Sequence, residues 1–373
     1  MSRTLVCPNL VTIEVASTSR EEIGPALAGA ELVLIQARFG GNAARHFDET
    51  FPVKFGLCSD EGLGVGGLSA AWRVWPPMRA LLGLIQDNCG TARILMLSSP
   101  VSILVRAAGV VFPKLCVLGV CELPWTTLKQ ICELLKTPPN AISFDYTGVN
   151  HLGWFYGIHL GSRDLVHEYC DVLGPEPGFP TAERIRKCSG VPLKYLRLHY
   201  EAADVLKEQR KRKQSRAQVL QELSSLAFSS YAAGDCKVVL DTLKERPAPW
   251  YEHCVGPLIL ALAGERLRTP FFLSARSSEF DNEWTGTDIF EIPCRYESGS
   301  WRRIRPTRPV PLHIAETLRS FVEYERIAAA AVLGRDSSLL EKAIRTHPWT
   351  RDHAVVCNIQ QEIEGQAAAT FGA

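Results

Sequence analysis

The sequence predicts an α/β fold: a Rossmann-like, doubly wound sheet followed by an α+β C-terminal lobe. Three observations carry this. The first half alternates short continuous apolar runs with stretches at helical spacing, the rhythm of parallel strands joined by crossover helices. The second half is mostly helical, broken by one strand-like run. Small and polar residues, in SSP, CELP and TGVNH, stand at or just past the ends of apolar runs, where ligands sit in such sheets. The 373 residues, 46% hydrophobic and 22% charged, suffice for a two-lobed chain with a sizeable core.

Each element follows from its pattern. AELVLIQAR (30–38) is a continuous apolar run and reads as a buried parallel strand. PPMRALLGLIQDNC (76–89) has helical spacing, and ARILMLSSP (92–100) is the next strand. VSILVRAAGVV is helical, KLCVLGVCE (114–122) is a strand, and TTLKQICELLKTP is a helix. AISFDYTGVNHLGWFYGIHL (141–160) holds strand-like β-branched and aromatic runs. YLRLHYEAADVLKEQRKRKQSRAQVLQELSSLAFSSYAAG spans about two helices, DIFEIPCRY (288–296) is a strand, and PLHIAETLRSFVEYERIAAAAVLG (311–334) with LLEKAIRTHPW is helical. A boundary near 140 divides the chain into a partial Rossmann-like lobe, 1–140, and a C-terminal lobe, 141–373.

Composition narrows the partners. A net charge of +1 argues against nucleic acid or an anionic membrane surface. The basic KEQRKRKQSR is diluted by Glu208 and the following Gln and Glu, and reads as a solvated helix face. The longest apolar stretch, VSILVRAAGVVFPKLCVLGV, contains Arg106, Pro113 and Lys114, so two buried elements and a turn are expected, not a membrane span. The 12 cysteines show no C-x-x-C pair, which argues against a zinc ribbon. MSRTLVCPNL lacks a signal-peptide pattern, so reduced thiols and a cytoplasmic location are expected.

Two short stretches, GVCELP (119–124) and GVNHLGW (148–154), each set a possible metal ligand, Cys121 or His151, beside a glycine-containing turn. Around them the chain resembles glycoside hydrolase family 4, the NAD- and manganese-dependent glycosidases that include 6-phospho-β-glucosidases. The resemblance runs from about Ala30 to about His353 and is carried by QARFGGNAARHFDETFPVKFG, GLGVGGL, ILMLSSP, GVCELP, DYTGVNHLGW, RPAPWYEHCVGPLI and DIFEIPC. It implies an oxidation–elimination route, outside the two-carboxylate scheme of most glycosidases. NAD takes a hydride from sugar C3, a tyrosinate removes the acidified C2 proton, the aglycone leaves, water adds, and the hydride returns.

By the same resemblance Cys121 and His151 are the two protein ligands of one Mn²⁺, with substrate oxygens completing its shell. Tyr251 is the C2 base, and Glu122 stands near the glycosidic oxygen as an acid. Asn150, Arg45 and Ser99 contact the sugar or its phosphate, and Gly40, Gly41 and Glu61 face the cofactor. A small-molecule sugar and a homo-oligomer are the partners implied. Plainer readings stand beside these. Cys121 can be a buried structural thiol, His151 a locally bonded turn residue, and Tyr251 a packed aromatic beside Trp250 and Pro249. Arg45 can pair with Asp48 at i,i+3, Glu122 can be solvated, and Gly64, Gly66 and Gly67 need only form a turn before a helix.

Three departures separate the chain from the family pattern. No G-x-G-x-x-G-like turn precedes Ala30 and CPNLVTIEVASTSREEI resembles a third-strand region, so against the family pattern the Rossmann-like sheet is expected to lack its first βαβ unit. The family's Thr-Asn-Pro is Ser98-Ser99-Pro100, and Glu122 follows the cysteine where Asn, Asp or His is usual. The expectation is a truncated start or a degenerate paralogue. The rival functional reading is therefore a non-catalytic relative that keeps the fold for sugar or partner binding. A lactate- or malate-type dehydrogenase lacks an Asp-His relay pattern to support it.

Overall fold

The computed structural model describes residues 3–7, 11–16, 19–173, 179–246, 248, 250–276 and 288–371. Strands β1 (Arg3–Cys7) and β2 (Val11–Val15) pair antiparallel as a separate hairpin, and helix α1 (Arg20–Leu27) follows. The third-strand stretch expected at 7–23 is thus a hairpin strand and a helix start, with Pro8–Leu10 and Ser17–Thr18 outside the described residues. The parallel sheet begins at β3 (Leu32–Ile35), continues through α2 (Gly41–Lys54) and α3 (Gly64–Cys89) to β4 (Arg93–Met96), and through α4 (Val101–Val111) to β5 (Cys116–Val120). Ile35 pairs with Met96, and Met96 with Gly119, all in parallel register. Ile94, Leu95 and Met96 are fully buried in succession because both faces of the sheet are covered. Among the described residues β3 is the sheet's last strand, and Leu34 on it is 37% exposed. The family pattern's first βαβ unit is not among the described residues.

After α5 (Leu123–Leu134) comes the hairpin of β6 (Ser143–Val149) and β7 (Leu152–Leu160), extended by β8 (Arg163–Asp164). Helices α6 (Val166–Val172) and α7 (Ala182–Cys188) lead to β9 (Val191–Pro192), which joins β7. The helical region then runs as α8 (Arg197–Tyr200), α9 (Ala202–Lys211), α10 (Arg216–Ala232) and α11 (Cys236–Glu245), a short helix more than the two expected over 195–234 plus α11 beyond it. Arg210–Lys213, the basic stretch, is exposed at the end of α9. A π-helical turn (Tyr251–Val255) opens α12 (Gly256–Leu262); Pro247 and Pro249 of RPAPW lie outside the described residues.

Three further strands return to the first sheet. β10 (Phe271–Arg276) pairs antiparallel with β5, β11 (Ile289–Glu297) with β10, and β12 (Ser300–Arg303) with β11. Helices α13 (Leu312–Gly334), α14 (Ser337–Thr346) and α15 (Val356–Phe371) close the chain. Tyr324, Ala328, Val332, Ile344, Val356 and Ile359 of these helices share one core with Trp72, Met78, Ile94 and Leu104. The two spans expected as separate lobes therefore share a sheet and a core across the 140/141 boundary. Among the described residues no helix is long and apolar enough to cross a membrane, and the apolar stretch 101–120 is α4 and β5.

Helix α3 departs from expectation at its start. Helical spacing is expected over 76–89, yet the helix runs from Gly64 with Pro76 and Pro77 inside it. A proline lacks the N–H that would bond the carbonyl four residues back. For Pro76 that carbonyl is Trp72 O, and the Arg335 guanidinium donates to it at 2.5 Å while lying 4.1 Å from the Trp72 ring centroid. Pro76 itself faces solvent. The break is repaired from α13, which local sequence does not reveal.

Candidate active site

The carboxyl ends of β3, β4 and β5 converge on a cavity of about 670 Å³. Gln36, Ala37, Arg38 and Phe39 reach it from β3, Leu97, Ser98 and Ser99 from β4, and Cys121 and Glu122 from β5. His151 and Tyr195 close it from the second sheet's side. Ser98 ties two of these ends together: its hydroxyl donates to Ala37 O at 2.8 Å and accepts from Ala37 N at 3.0 Å. Gly66 and Gly67 bring a fourth arm. They lie in the first turn of α3, where a Cβ on Gly66 would sit 2.4 Å from Asp48 O and 2.5 Å from Asp60 O. Their absence of side chain lets the Asp60–Gly62 loop pass against α3 and aim Glu61 into the cavity.

Cys121 follows the last residue of β5 and is buried. Its sulfur accepts from Leu123 N at 3.4 Å. Burial pushes its thiol well above the ordinary value, and the Glu291 and Glu122 carboxylates add to the push. His151 sits in the two-residue turn between β6 and β7, with φ at 69°, a left-handed conformation uncommon for a non-glycine residue. Its ring stacks on Tyr195, centroids 4.7 Å apart and planes 25° apart. Burial lowers its pKa to about 4, so the imidazole is neutral, and its buried Nδ1 has no hydrogen-bond partner. A neutral imidazole with a spare nitrogen is what a metal takes. Among the described residues no group of three or more His, Cys, Asp and Glu gathers as a metal site. The pair Cys121 and His151 nevertheless lines one cavity.

Of the other predicted residues, Glu122, Arg45, Ser99 and Glu61 line the same cavity. Arg45 pairs with Glu49 at 2.6 Å and with Glu61 at 3.0 Å. Asp48, the partner suggested by spacing, is held instead by the buried Arg73 guanidinium through two bonds of 3.0 and 2.5 Å. Glu61 also binds Arg38. Tyr251 does not line the cavity: it is 42% exposed at the start of the π-helical turn and its hydroxyl donates to Gln36. Asn150 does not line it either. Its backbone N–H donates to Ser102 Oγ at 3.2 Å and its side-chain amide to Glu291 at 3.5 Å, because the hairpin turn directs it behind the cavity wall. Gly40 and Gly41 form the left-handed turn that starts α2, also off the lining. A Cβ on Gly40 would meet Ala44 at 2.6 Å, so the tight strand-to-helix turn requires that position bare.

The cavity holds residues that sequence spacing did not single out. Tyr195, in the turn Lys194–Leu196, is the tyrosine against the His151 ring. Its pKa is raised, first by the Asp60 carboxylate, then by burial, Glu61, Cys121 and Glu122. Burial and the Glu61 carboxylate push Asp60 itself up to about 7. Six cationic side chains, Arg38, Arg45, Arg73, Lys194, Arg216 and Arg246, face three acids, Asp48, Glu61 and Glu122. Burial lowers the Arg246 pKa, and the nearby Arg45, Arg38 and Arg216 charges lower it further. Glu291 on β11 lies behind Cys121, fully buried, with its pKa raised to about 8 by burial. Only its strand, DIFEIPC, is marked in the sequence. Lys194, Tyr195, Arg216 and Arg246 lie in helical surroundings with no spacing that distinguishes them.

Residues 7–137 match the description "Family 4 glycosyl hydrolase" and residues 146–350 "Family 4 glycosyl hydrolase C-terminal domain". The 6-phospho-beta-glucosidase BglT of Thermotoga maritima is 23% identical over 347 residues, 91% of this chain and 81% of that protein. The Escherichia coli 6-phospho-beta-glucosidase is 23% identical over 290 residues, 72% of this chain and 63% of that protein. A solved Thermotoga maritima 6-phospho-beta glucosidase, with manganese, NAD⁺ and glucose-6-phosphate, superposes with a TM-score of 0.81 at 22% identity, covering 93% of this chain and 83% of that one. A 6-phospho-alpha-glucosidase from gut microorganisms, with NAD and Mn²⁺, gives 0.75 at 17% identity, covering 94% and 83%. The two matched regions take up most of the chain, and with them the chain belongs to glycosyl hydrolase family 4, the O-glycosyl hydrolases of that sequence class.

Proposed function

We propose that this chain hydrolyses a 6-phosphorylated glycoside by oxidation and elimination, with Mn²⁺ and NAD as cofactors. The observation that carries the reading is the convergence of Cys121, His151 and Tyr195 on one cavity whose wall is cationic. The unpartnered Nδ1 of His151 and the Cys121 thiol fit a divalent ion. The strand ends of β3, β4 and β5 fit the reactive end of a dinucleotide. The turn that would cradle its pyrophosphate is not among the described residues, and the relatives named above are longer than the matched part of this chain. The chemistry these groups supply when bound is hydride acceptance at C3 and polarisation of the C3 oxygen, which acidify the proton on C2.

Tyr195 would remove that proton as the tyrosinate, the form that the charge of a divalent ion beside His151 would favour against the surrounding carboxylates. It faces the ligand pair, whereas Tyr251 is bonded to Gln36 at the surface. Glu122 protonates the leaving oxygen from the β5 side. Arg216 and Arg246 receive the phosphate: neither has a carboxylate partner among the described residues, and Arg246 lies among like charges that an anion relieves. Arg45 and Arg38 hold Glu61 at the wall. The chain is further inferred to form a homo-oligomer in the cytoplasm. Leu226, Phe228, Tyr231, Leu240 and Leu243 expose an apolar surface on α10 and α11, and the cysteines from Cys58 to Cys357 are free.

The test compares parent, Tyr195→Phe and Tyr251→Phe on plain and 6-phosphorylated nitrophenyl glycosides, with NAD⁺, Mn²⁺ and reductant, in D₂O. The parent should favour the phosphorylated substrate and put deuterium on C2 of the product. Tyr195→Phe should lose both turnover and exchange by roughly 10²-fold or more, and Tyr251→Phe should keep them. Turnover without C2 deuterium would refute the elimination route, and the reverse pattern in the two variants would return the base to Tyr251.

A further inference from the structure

The two metal-facing arms come from different sheets, and one buried side chain stands between them. Glu291 lies on β11 opposite Ser274 of β10, which in turn lies opposite Gly119 of β5, two residues before Cys121. Its carboxylate accepts from the Asn150 side-chain amide at 3.5 Å and from the Tyr146 hydroxyl, and its charge bears on the buried Cys121 thiol. Asn150 is the residue before His151, and its backbone is fixed on Ser102 at the start of α4. The glycines of GVNHLG explain how Tyr146 reaches. Gly148 and Gly153 face each other across the hairpin, and a Cβ on Gly153 would lie 2.0 Å from the Tyr146 hydroxyl, one on Gly148 3.1 Å from it. Both positions must be bare for the phenol to cross the hairpin to Glu291.

We propose that Glu291 is a positioning residue that holds Cys121 and the Asn150–His151 turn in mutual register, with Tyr146 as its strut and Gly148 and Gly153 as the clearance for that strut. The inference rests on the reading of Cys121 and His151 as a metal pair. It supplies what a two-ligand site lacks: with no third protein ligand to define the geometry, the separation of the two arms must be held from behind.

Full-length protein, reduced and metal-free, is titrated with Co²⁺ while the thiolate-to-cobalt charge-transfer absorption is followed, for parent, Glu291→Gln and Glu291→Ala. Thermal unfolding without metal is recorded alongside. The parent should show the band. Glu291→Ala should bind Co²⁺ at least about tenfold more weakly, the usual loss on removing a group that orients a metal ligand, with a shifted band. Glu291→Gln, which retains one acceptor oxygen, should fall between. Variants that bind within twofold of the parent with an unchanged band overturn the role of Glu291, whatever their unfolding temperature. If the alanine variant does not fold, the glutamine variant decides by the same criterion. A parent with no charge-transfer band overturns the metal-pair reading and this inference together, whereas a parent band kept by both variants sinks this inference alone.

Discussion

Glu325 on α13 is buried directly behind the site, and one of its carboxylate oxygens has no hydrogen-bond partner. Burial raises its pKa to about 7; the Arg106 charge and the Ser102 hydroxyl only partly offset this. Ser102 is also the acceptor for Asn150 N, so the hydroxyl that acts on the acid also holds the His151 turn. In the unfolded chain the carboxyl ionises near its ordinary value, about 4.3. Between that value and about 7 the native state therefore holds a proton that the unfolded state has lost, and stability falls as pH rises. Above about 7 the loss is complete. Glu325→Gln should remove this slope, gaining on the parent by about 1.4 kcal/mol per pH unit through the window and by nothing further above it. Urea midpoints of the two proteins at pH 5 and pH 8 check it; a pH-independent difference would mean that Glu325 is already ionised beside Arg106. Residue-level legibility was uneven in the same way. Cys121, His151, Glu122, Arg45 and Ser99 were legible because they sit at strand ends or in family-like stretches, and together with Glu61 they line the cavity. Tyr195 was not, because a tyrosine in YLRLHY looks like any packed aromatic until the His151 ring is set against it.

At the scale of elements, α3 carries the most information for its length. Its first turn, GVGG, reads as a glycine turn preceding a helix, yet Gly66 and Gly67 are helical and serve close packing. Added methyl volume at Gly66 must displace backbone carbonyls of Asp48 and Asp60, neither of which is a flexible chain end. Gly66→Ala should cost roughly 1–3 kcal/mol and swing Glu61 off Arg45, so denaturant unfolding and Mn²⁺-dependent turnover should both suffer. Full stability in the variant would show that the loop yields freely. The strand elements were legible where apolar runs were continuous, as in β3, β4 and β5. FFLSAR was passed over, since six residues of mixed character next to helical sequence carry no period, and it became β10 only by pairing with β5 and β11.

For the whole molecule, the exposed apolar face of α10 and α11 has the strongest consequence. Phe228 and Tyr231 are 76% and 75% exposed and Leu240 is 59% exposed, on helices that flank the cavity through Arg216 and Leu220. A double substitution, Phe228→Glu with Tyr231→Glu, should convert an oligomeric parent to monomer in light scattering without lowering the unfolding cooperativity of the chain. A parent already monomeric at tens of micromolar would refute the assembly. By itself the sequence determined the α/β class and the parallel strands, because burial on both faces forces continuous apolar runs, and its GVCELP and GVNHLGW stretches supplied the metal-ligand candidates through their family resemblance. Tertiary structure alone decided the sharing of one sheet and one core by residues on both sides of 140, the repair of the Pro76 break by Arg335, the Tyr195 stack on His151 and the Glu291 bridge. These are contacts between residues far apart in the chain, and no local period records which distant side chain will arrive.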